Sequence, residues 1–196
     1  MTEIKIALRM TAVTLVLTGL AYPLAVTGLA QAAFRGRANG SLVQGPDGRV
    51  VGSELIAQRF ASPAYFQPRP SAAGNGYDAA ASSGSNLGPT SRKLRDRIVA
   101  DVGRLQKENP HATGPIPAEL VTASASGLDP HLGPEAALWQ VPRVAAARGR
   151  SAEEVRVLVD AAVEPRFLGF LGEPTVNVLL LNLELDRRFG RRIASD

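Results

Sequence analysis

The feature that most constrains this chain is a stretch near the N-terminus, Met10 to Phe34, which contains no charged residue. A helix rises about 1.5 Å per residue, so about 20 residues cross a hydrocarbon core about 30 Å thick. The stretch exceeds that length, which predicts a transmembrane helix over residues 10–34. It separates a short N-terminus, residues 1–9, from residues 35–196, whose composition is that of an ordinary soluble domain.

The predicted helix contains residues that favour contact with another helix. Pro23 removes one helical hydrogen bond, which predicts a kink, and membrane helices tolerate this where neighbours satisfy the freed carbonyl. Gly19 and Gly28 have no side chain and let a second helix approach closely. The segment therefore has the features of a packing helix as well as of an anchor.

A cleaved signal peptide is the main alternative for this segment. Lys5 and Arg9 precede it, and Ala30-Gln31-Ala32 resembles a cleavage site. A signal core usually runs about 7–15 residues, however, and this charge-free stretch is far longer, which favours an uncleaved anchor over both a signal peptide and a buried soluble helix. The flanking charges do not decide the orientation, because Arg35 and Arg37 follow the helix directly.

Composition excludes several classes of site and partner. The chain has no cysteine, which rules out disulfides and cysteine-ligated zinc. Its net charge of +4 comes from arginines spread along the chain, with pairs at 187–188 and 191–192 in a predicted polar tail. Because no basic patch alternates with aromatic residues, we do not expect a nucleic-acid partner.

The domain after the helix is predicted to be α+β. Gly45-Pro-Asp-Gly48 lies between two β-prone runs and indicates a hairpin. A short helix is expected from Ser53, and a loop rich in Gly, Pro and Ser follows over residues 63–89. Further helices are predicted from Thr90 or Ser91 to Asn109, from Pro134 to Arg148, and from a capping box at Ser151–Glu154. The apolar run Thr175–Leu183 is predicted to be a buried strand.

One cluster contains the residue types of a hydrolase, namely Ser124, Ser126, Asp129 and His131. It lacks the Gly-x-Ser-x-Gly elbow, and triad members normally converge from distant parts of a chain. Asp129 and His131 offer two metal ligands, but no third lies at useful spacing. We therefore expect a turn without metal, and keep a secreted or periplasmic hydrolase as the alternative.

The sequence also lacks a recognisable nucleotide motif. Gly84-Ser-Asn-Leu-Gly-Pro89 is rich in glycine but lacks the Lys-Ser/Thr ending of a phosphate-binding loop. The prediction is that the chain has no cofactor of its own.

A series of short motifs in order along nearly the whole chain resembles one family. They are Tyr22-Pro-Leu24 with Thr27-Gly28, Ala38-Asn-Gly-Ser-Leu42, Val51-Gly-Ser53, Arg69-Pro-Ser-Ala-Ala73, Tyr77-Asp78, Gly84–Pro89, Leu120-Val-Thr-Ala-Ser-Ala-Ser-Gly-Leu-Asp-Pro-His131, Arg143-Val-Ala145, Ala147-Arg-Gly149, Leu171-Gly-Glu-Pro174, Val176-Asn-Val178 and Leu181-Asn182. The long block ending at His131 is the most specific of them. Together they resemble the KdpC family, the small C subunit of the bacterial Kdp potassium-transporting ATPase.

The resemblance implies a non-catalytic accessory subunit of a high-affinity potassium uptake complex. It implies as partners a potassium-channel-like subunit and a P-type subunit that hydrolyses ATP, together with membrane lipid. It also implies a single pass through the bacterial inner membrane, with residues 1–9 cytoplasmic and the domain extracytoplasmic. Family members are described as catalytic chaperones that raise the ATP affinity of the hydrolysing subunit, so ATP is implied for the complex.

Since this chain has no nucleotide motif, we expect such an effect on ATP affinity to be indirect, passed through the helix or the complex. The resemblance and the motifs give these candidate partner-facing or motif residues: Tyr22, Pro23, Gly28, Ser85, Asn86, Asp129, His131, Asn177 and Asn182.

Overall fold

The computed structural model describes residues 2–45 and 47–191, and it divides after Leu42 into two compact units. The fold is α+β, as predicted: a long apolar helix in the first unit, and a small domain of helices and short strands in the second. Pro46 of the predicted hairpin turn and Arg192 of the predicted tail lie outside the described residues.

The N-terminal unit is almost entirely helical. It contains α1 (Thr2–Val16), a π-helical turn (Leu17–Ala21), α2 (Tyr22–Ala33) and α3 (Arg35–Ala38). The helical span Thr2–Ala33 is long and apolar enough to cross a membrane. Every residue of that span except Ala30 is exposed. The whole surface of the helix is therefore available to contact lipid or other helices.

The helix contains a wider turn next to Pro23, where a kink is predicted. Directly before it the backbone is π-helical, and the N–H of Tyr22 donates to the carbonyl of Leu17, five residues back. Single π turns of this kind occur within α-helices where the regular bonding is interrupted. Thr18 Oγ1 donates to the Thr14 carbonyl at 2.8 Å, so that hydroxyl is satisfied within the helix.

The predicted hairpin is confirmed, whereas the predicted helix after it is wrong. Strands β1 (Leu42–Gln44) and β2 (Val50–Ser53) pair in a two-stranded sheet. Beyond β2 the Ser53 hydroxyl accepts from the N–H of Leu55 at 3.1 Å, and the N–H of Ala57 donates to the distant Leu128 carbonyl at 3.0 Å. The Ala57 N–H would be the first internal donor of a helix that began at Ser53, and it is instead bonded outside the segment.

The predicted helix boundaries in the middle of the domain are confirmed. Helix α4 (Arg92–Glu108) is capped by Ser91, and a 3₁₀ turn follows at Ala118–Leu120. Helix α5 (Pro134–Arg148) begins with proline and ends at Gly149, whose φ is +63°. Helix α6 (Ala152–Ala161) begins with the predicted capping box, in which Ser151 and Glu154 bond reciprocally.

The predicted strand Thr175–Leu183 is wrong for most of its length. Only β5 (Thr175–Asn177) is extended, and it pairs antiparallel between β3 (His131–Leu132) and β4 (Val163–Glu164). Helix α7 (Val178–Phe189) begins immediately after it, because the Asn177 side chain accepts from the N–H of Leu180 at 3.2 Å. The buried residues Val178, Leu181 and Leu185 then follow helical spacing.

The core lies where α5, α6, α7 and the three-stranded sheet pack together. Phe66, from the long loop, is completely buried in it. The other fully buried large apolar side chains are Leu132, Val144, Val155, Val159, Val176, Val178, Leu181 and Leu185.

Candidate functional site

Residues 63–67 of the long loop are held by side chains instead of by a neighbouring strand. The Asn182 amide bonds both to the N–H of Phe66 at 2.8 Å and to its carbonyl at 2.9 Å. Gln140 does the same for Gln67, at 2.9 and 3.0 Å. These two amides, one on α5 and one on α7, therefore substitute for the two hydrogen bonds that a strand partner would supply at each residue.

Two arginines of α5 complete this arrangement, which we call the loop clamp: Gln140, Arg143, Arg148 and Asn182. Arg143 donates to the carbonyls of Pro63 at 2.6 Å and Tyr65 at 3.1 Å. Burial lowers the pKa of Arg143 to about 10, so the guanidinium remains charged at neutral pH. Every residue from 63 to 67 is thus bonded through its backbone to a clamp side chain.

Arg148 joins the loop to the end of α7. It donates to the Ala64 carbonyl at 2.8 Å and forms an ion pair with Asp186 at 2.8 Å. Its guanidinium lies 4.9 Å from the centre of the Tyr65 ring, and the Tyr65 hydroxyl donates to Asp186 at 2.8 Å. Burial, and then the contact with Asp186, raise the pKa of Tyr65.

The candidate residues Asn177 and Asn182 have structural partners inside the domain. Both are buried, and the Asn177 amide donates to the Glu54 carbonyl at 2.7 Å while its oxygen caps α7. The structure therefore does not present either side chain to a partner.

The motifs around residues 69–73, 82–86 and 122–131 come together in one loop cluster. Arg69 and Asp129 form an ion pair at 3.3 Å, and the N–H of Ser124 donates to the Pro70 carbonyl at 3.1 Å. Ser82 Oγ donates to the Ser126 carbonyl at 2.9 Å. The approach is close enough that a Cβ on Gly127 would lie 2.7 Å from the carbonyl oxygen of Ser83.

Two further candidates, Ser85 and Asn86, lie at the edge of this cluster. Ser85 is half-buried, whereas Asn86 is exposed and has a φ of +51°, a conformation that asparagine adopts more readily than most residues. Asn86 is the candidate in this cluster whose side chain is most open to contact.

The hydrolase residues do not form a triad in the described part of the chain. Ser126 Oγ accepts from the N–H of Leu128 at 3.1 Å, and the Ser124 hydroxyl is buried without a hydrogen-bond partner among the described residues. His131 Nδ1 lies 3.8 Å from Asp129 Oδ1, which already accepts from the His131 N–H at 3.1 Å. Nor do the described residues bring three His, Asp or Glu side chains together as a metal site. This geometry is that of a turn stabilised by side chains.

The candidates on the apolar helix form an open surface. Tyr22, Pro23 and Gly28 are all exposed, and a Cβ placed on Gly28 would meet no atom within 4 Å. Tyr22 and Pro23 follow directly on the π-helical turn, whereas Gly28 lies further along α2.

Two groups of residues in the domain were not predicted from the sequence. The polar members of α5, Gln140, Arg143 and Arg148, occupy buried positions of an otherwise apolar helix face. Polar residues on an apolar helix face were the sequence signal for the loop clamp, since buried polar side chains almost always have hydrogen-bond partners. The second group is the exposed run Phe167–Leu171, in which large apolar residues are interspersed with glycine without strand or helix periodicity.

Comparison with known proteins accounts for nearly all of the chain. Residues 4–187 match the family model KdpC, described as the c chain of the K+-transporting ATPase. The chain belongs to the KdpC family. It is thus a subunit of a potassium-transporting ATPase, a complex of several subunits, and the apolar helix indicates a membrane protein.

Individual relatives agree with the assignment to KdpC. The chain is 68% identical over 184 residues to the potassium-transporting ATPase KdpC subunit of Myxococcus xanthus, which covers 94% of this chain and 87% of the relative. It is 58% identical over 174 residues to the KdpC subunit of Caulobacter vibrioides, at 89% and 87% coverage. It is 57% identical over 178 residues to that of Koribacter versatilis, at 90% of both chains. The resemblance drawn from the motifs is confirmed.

Proposed function

We propose that this chain is a non-catalytic accessory subunit that assembles and stabilises a high-affinity, ATP-driven potassium uptake complex. The observation that carries the proposal is the family match over residues 4–187. The serine and histidine geometry supports a role without catalysis, because both serine hydroxyls lie in turn or buried positions without a bond to His131 among the described residues.

The partners that fit this role are a potassium-channel-like subunit and an ATP-hydrolysing P-type subunit. The helical span Thr2–Ala33 provides a surface for them, since nearly all of it is exposed and it carries small residues at Gly19 and Gly28. Small residues let helices approach closely in a bilayer, where close packing replaces the hydrophobic effect as the main attraction. The remaining helix surface faces lipid.

In this proposal the helix is an uncleaved anchor in the bacterial inner membrane, with the domain outside the cytoplasm. ATP then acts at the level of the complex, and the chain binds no cofactor of its own. Any increase in the ATP affinity of the hydrolysing subunit is then indirect and passes through the helix or the complex, because ATP and the domain lie on opposite sides of the membrane.

The test is co-purification from a bacterium that expresses the complete complex, after extraction in mild detergent. We expect both larger subunits to purify with this chain, and the mass of its N-terminal peptide to show an intact residue 10–34 segment. A chain that purifies alone, or that lacks this segment, would refute the proposal.

Helix packing is tested by Gly28→Leu, with Leu29→Phe, about 100° around the helix from Gly28 and clear of the Gly19 face, as the matched control. The bulkier side chain at residue 28 is expected to reduce co-purification and growth on limiting potassium, and the control is expected to have little effect. Equal effects of the two substitutions would show that this face has no special role in packing.

A further inference from the structure

An exposed apolar hairpin protrudes between β4 and β5, and no role described so far uses it. We call residues Phe167, Leu168, Phe170 and Leu171 the apolar tip. Their exposed fractions are 70%, 71%, 68% and 48%, although the same residue types elsewhere in the domain build its core. Four large apolar residues exposed together in one short segment mark an interaction site more often than chance surface composition.

The backbone of the tip is fixed before any partner binds. Phe167 and Leu171 exchange two hydrogen bonds, each of 2.9 Å, and the N–H of Gly169 donates to the Arg166 carbonyl at 3.0 Å. Below them an ion pair joins Arg166 to Glu173. A preformed tip loses less conformational entropy on docking than a flexible loop, and so binds more tightly for the same contacts.

The conformation of the tip is not explained by packing within the domain. Leu168 has a φ of +52°, which a residue with a bulky side chain rarely adopts, yet its side chain is the most exposed of the four. Backbone strain that serves no core contact is typical of binding segments.

Charge distinguishes a protein surface from a bilayer as the partner. The tip itself, residues 167–172, has no charge, and its base carries the carboxylates of Glu164 and Glu173 against the single cation of Arg166. This excess of negative charge disfavours an anionic lipid surface, to which basic residues are attracted. It complements an apolar pocket whose rim carries lysine or arginine.

We propose that the apolar tip docks into an apolar pocket, rimmed by Lys or Arg, on the extramembrane surface of another subunit of the same ATPase. The inference rests on the proposed function, because it requires the chain to be assembled in the complex. Two phenylalanines seated in a pocket correspond to the few aromatic anchors that dominate the affinity of most protein interfaces.

The first test is co-purification with the double variant Phe167→Ser/Phe170→Ser in the full-length chain. The control is Val50→Ser/Val99→Ser, which removes two exposed apolar side chains outside the tip. We expect the tip variant to recover the other subunits at least about tenfold less than the control does, as truncation of interface anchors typically produces. The fluorescence of the single tryptophan, Trp139, reports in parallel whether both variants are folded.

The second test identifies the surface that the tip touches. Because the chain has no cysteine, Phe170→Cys provides one attachment point for a photo-crosslinker in the assembled complex. The expected product is a cross-link to another subunit, in an apolar segment with Lys or Arg beside it. A cross-link to lipid alone, or to a second copy of this chain, would overturn the inference.

The outcomes also separate this inference from the proposed function. If the tip variant recovers the other subunits as well as the control does, the tip has no docking role but the accessory function stands. If the unaltered chain recovers no other subunit, the accessory function fails and the inference fails with it.

Discussion

The loop clamp makes a quantitative prediction for Asn182. Replacing this residue by leucine keeps the number and branching of the side-chain heavy atoms but leaves the N–H and carbonyl of the buried Phe66 without partners. An unsatisfied buried polar group costs about 1–3 kcal/mol, so the two groups together should lower the free energy of unfolding by about 2–6 kcal/mol. With a urea m-value of about 2 kcal/mol/M, the unfolding midpoint should fall by about 1–3 M.

The assay is urea unfolding of the full-length chain in detergent micelles, followed by the fluorescence of Trp139, which lies on α5 within the core. The matched control is Asn75→Ala, an exposed asparagine for which we expect a change within about 0.5 kcal/mol. Asn182→Ala separates packing from hydrogen bonding, since it adds a cavity to the same loss of partners. If Asn182→Leu unfolds at the same urea concentration as the control, the clamp does not stabilise the loop and the reasoning is refuted.

Three further predictions concern residues in the loop cluster and Tyr77 beside it, whose hydroxyl donates to the Arg69 carbonyl at 2.9 Å. Gly127→Ala should lower the free energy of unfolding by about 2–5 kcal/mol, because it strains a left-handed backbone and brings a Cβ against the Ser83 carbonyl. Gly114→Ala, also at positive φ but in open space, should cost only the backbone strain of about 1–2 kcal/mol. Equal urea midpoints for the two variants would contradict this. His131→Ala should leave growth on limiting potassium largely intact, and a hydrolase activity abolished by this substitution would refute the accessory function. Burial raises the pKa of Tyr77, so the folded state keeps the phenol proton above the pH at which the unfolded state loses it. The free energy of unfolding should therefore fall as pH rises past about 10. Tyr77→Phe should show a smaller fall, and an unchanged fall would disprove the contribution of this residue.

Local signals in the sequence predicted the elements whose ends are fixed by neighbouring residues. Ser91, Pro134 and the Ser151–Glu154 capping box each satisfy or remove backbone donors within one turn, so the start of each helix is encoded locally. The apolar stretch near the N-terminus was equally clear in the sequence, because its length and lack of charge are those of a helix able to cross a membrane.

The failures have a common physical cause, which is competition between local patterns and distant partners. The run after Ser53 has helical spacing, but its Ala57 N–H bonds to Leu128 far along the chain. The run from Thr175 looks like one strand, yet a single asparagine, Asn177, caps a helix in the middle of it. Neither the capping role of that asparagine nor the long-range bond follows from apolar periodicity.

The candidate site was predictable only in part for the same reason. The motifs of the loop cluster were recognised as segments, but their convergence depends on pairs such as Arg69 and Asp129, which are 60 residues apart. The clamp joins Phe66 to Asn182 across 116 residues. Asn182 is a candidate by its sequence motif, but only the contact with Phe66 shows that its amide is used inside the domain.

The loop clamp stabilises the domain and the apolar tip is proposed to dock, so the two properties are assigned to separate residues. Measuring the urea midpoint and the recovery of partner subunits for both sets of variants tests this separation. The clamp side chains Gln140 and Asn182 are buried with satisfied bonds, whereas Phe167 and Phe170 are exposed and lie outside the core. Asn182→Leu should therefore lower the urea midpoint while the folded chain still recovers its partner subunits. The two tip substitutions should do the reverse, leaving the midpoint near that of the unaltered chain while recovery falls. If each change affected both measurements alike, the tip would belong to the folding core, and the assignment of separate roles would be wrong.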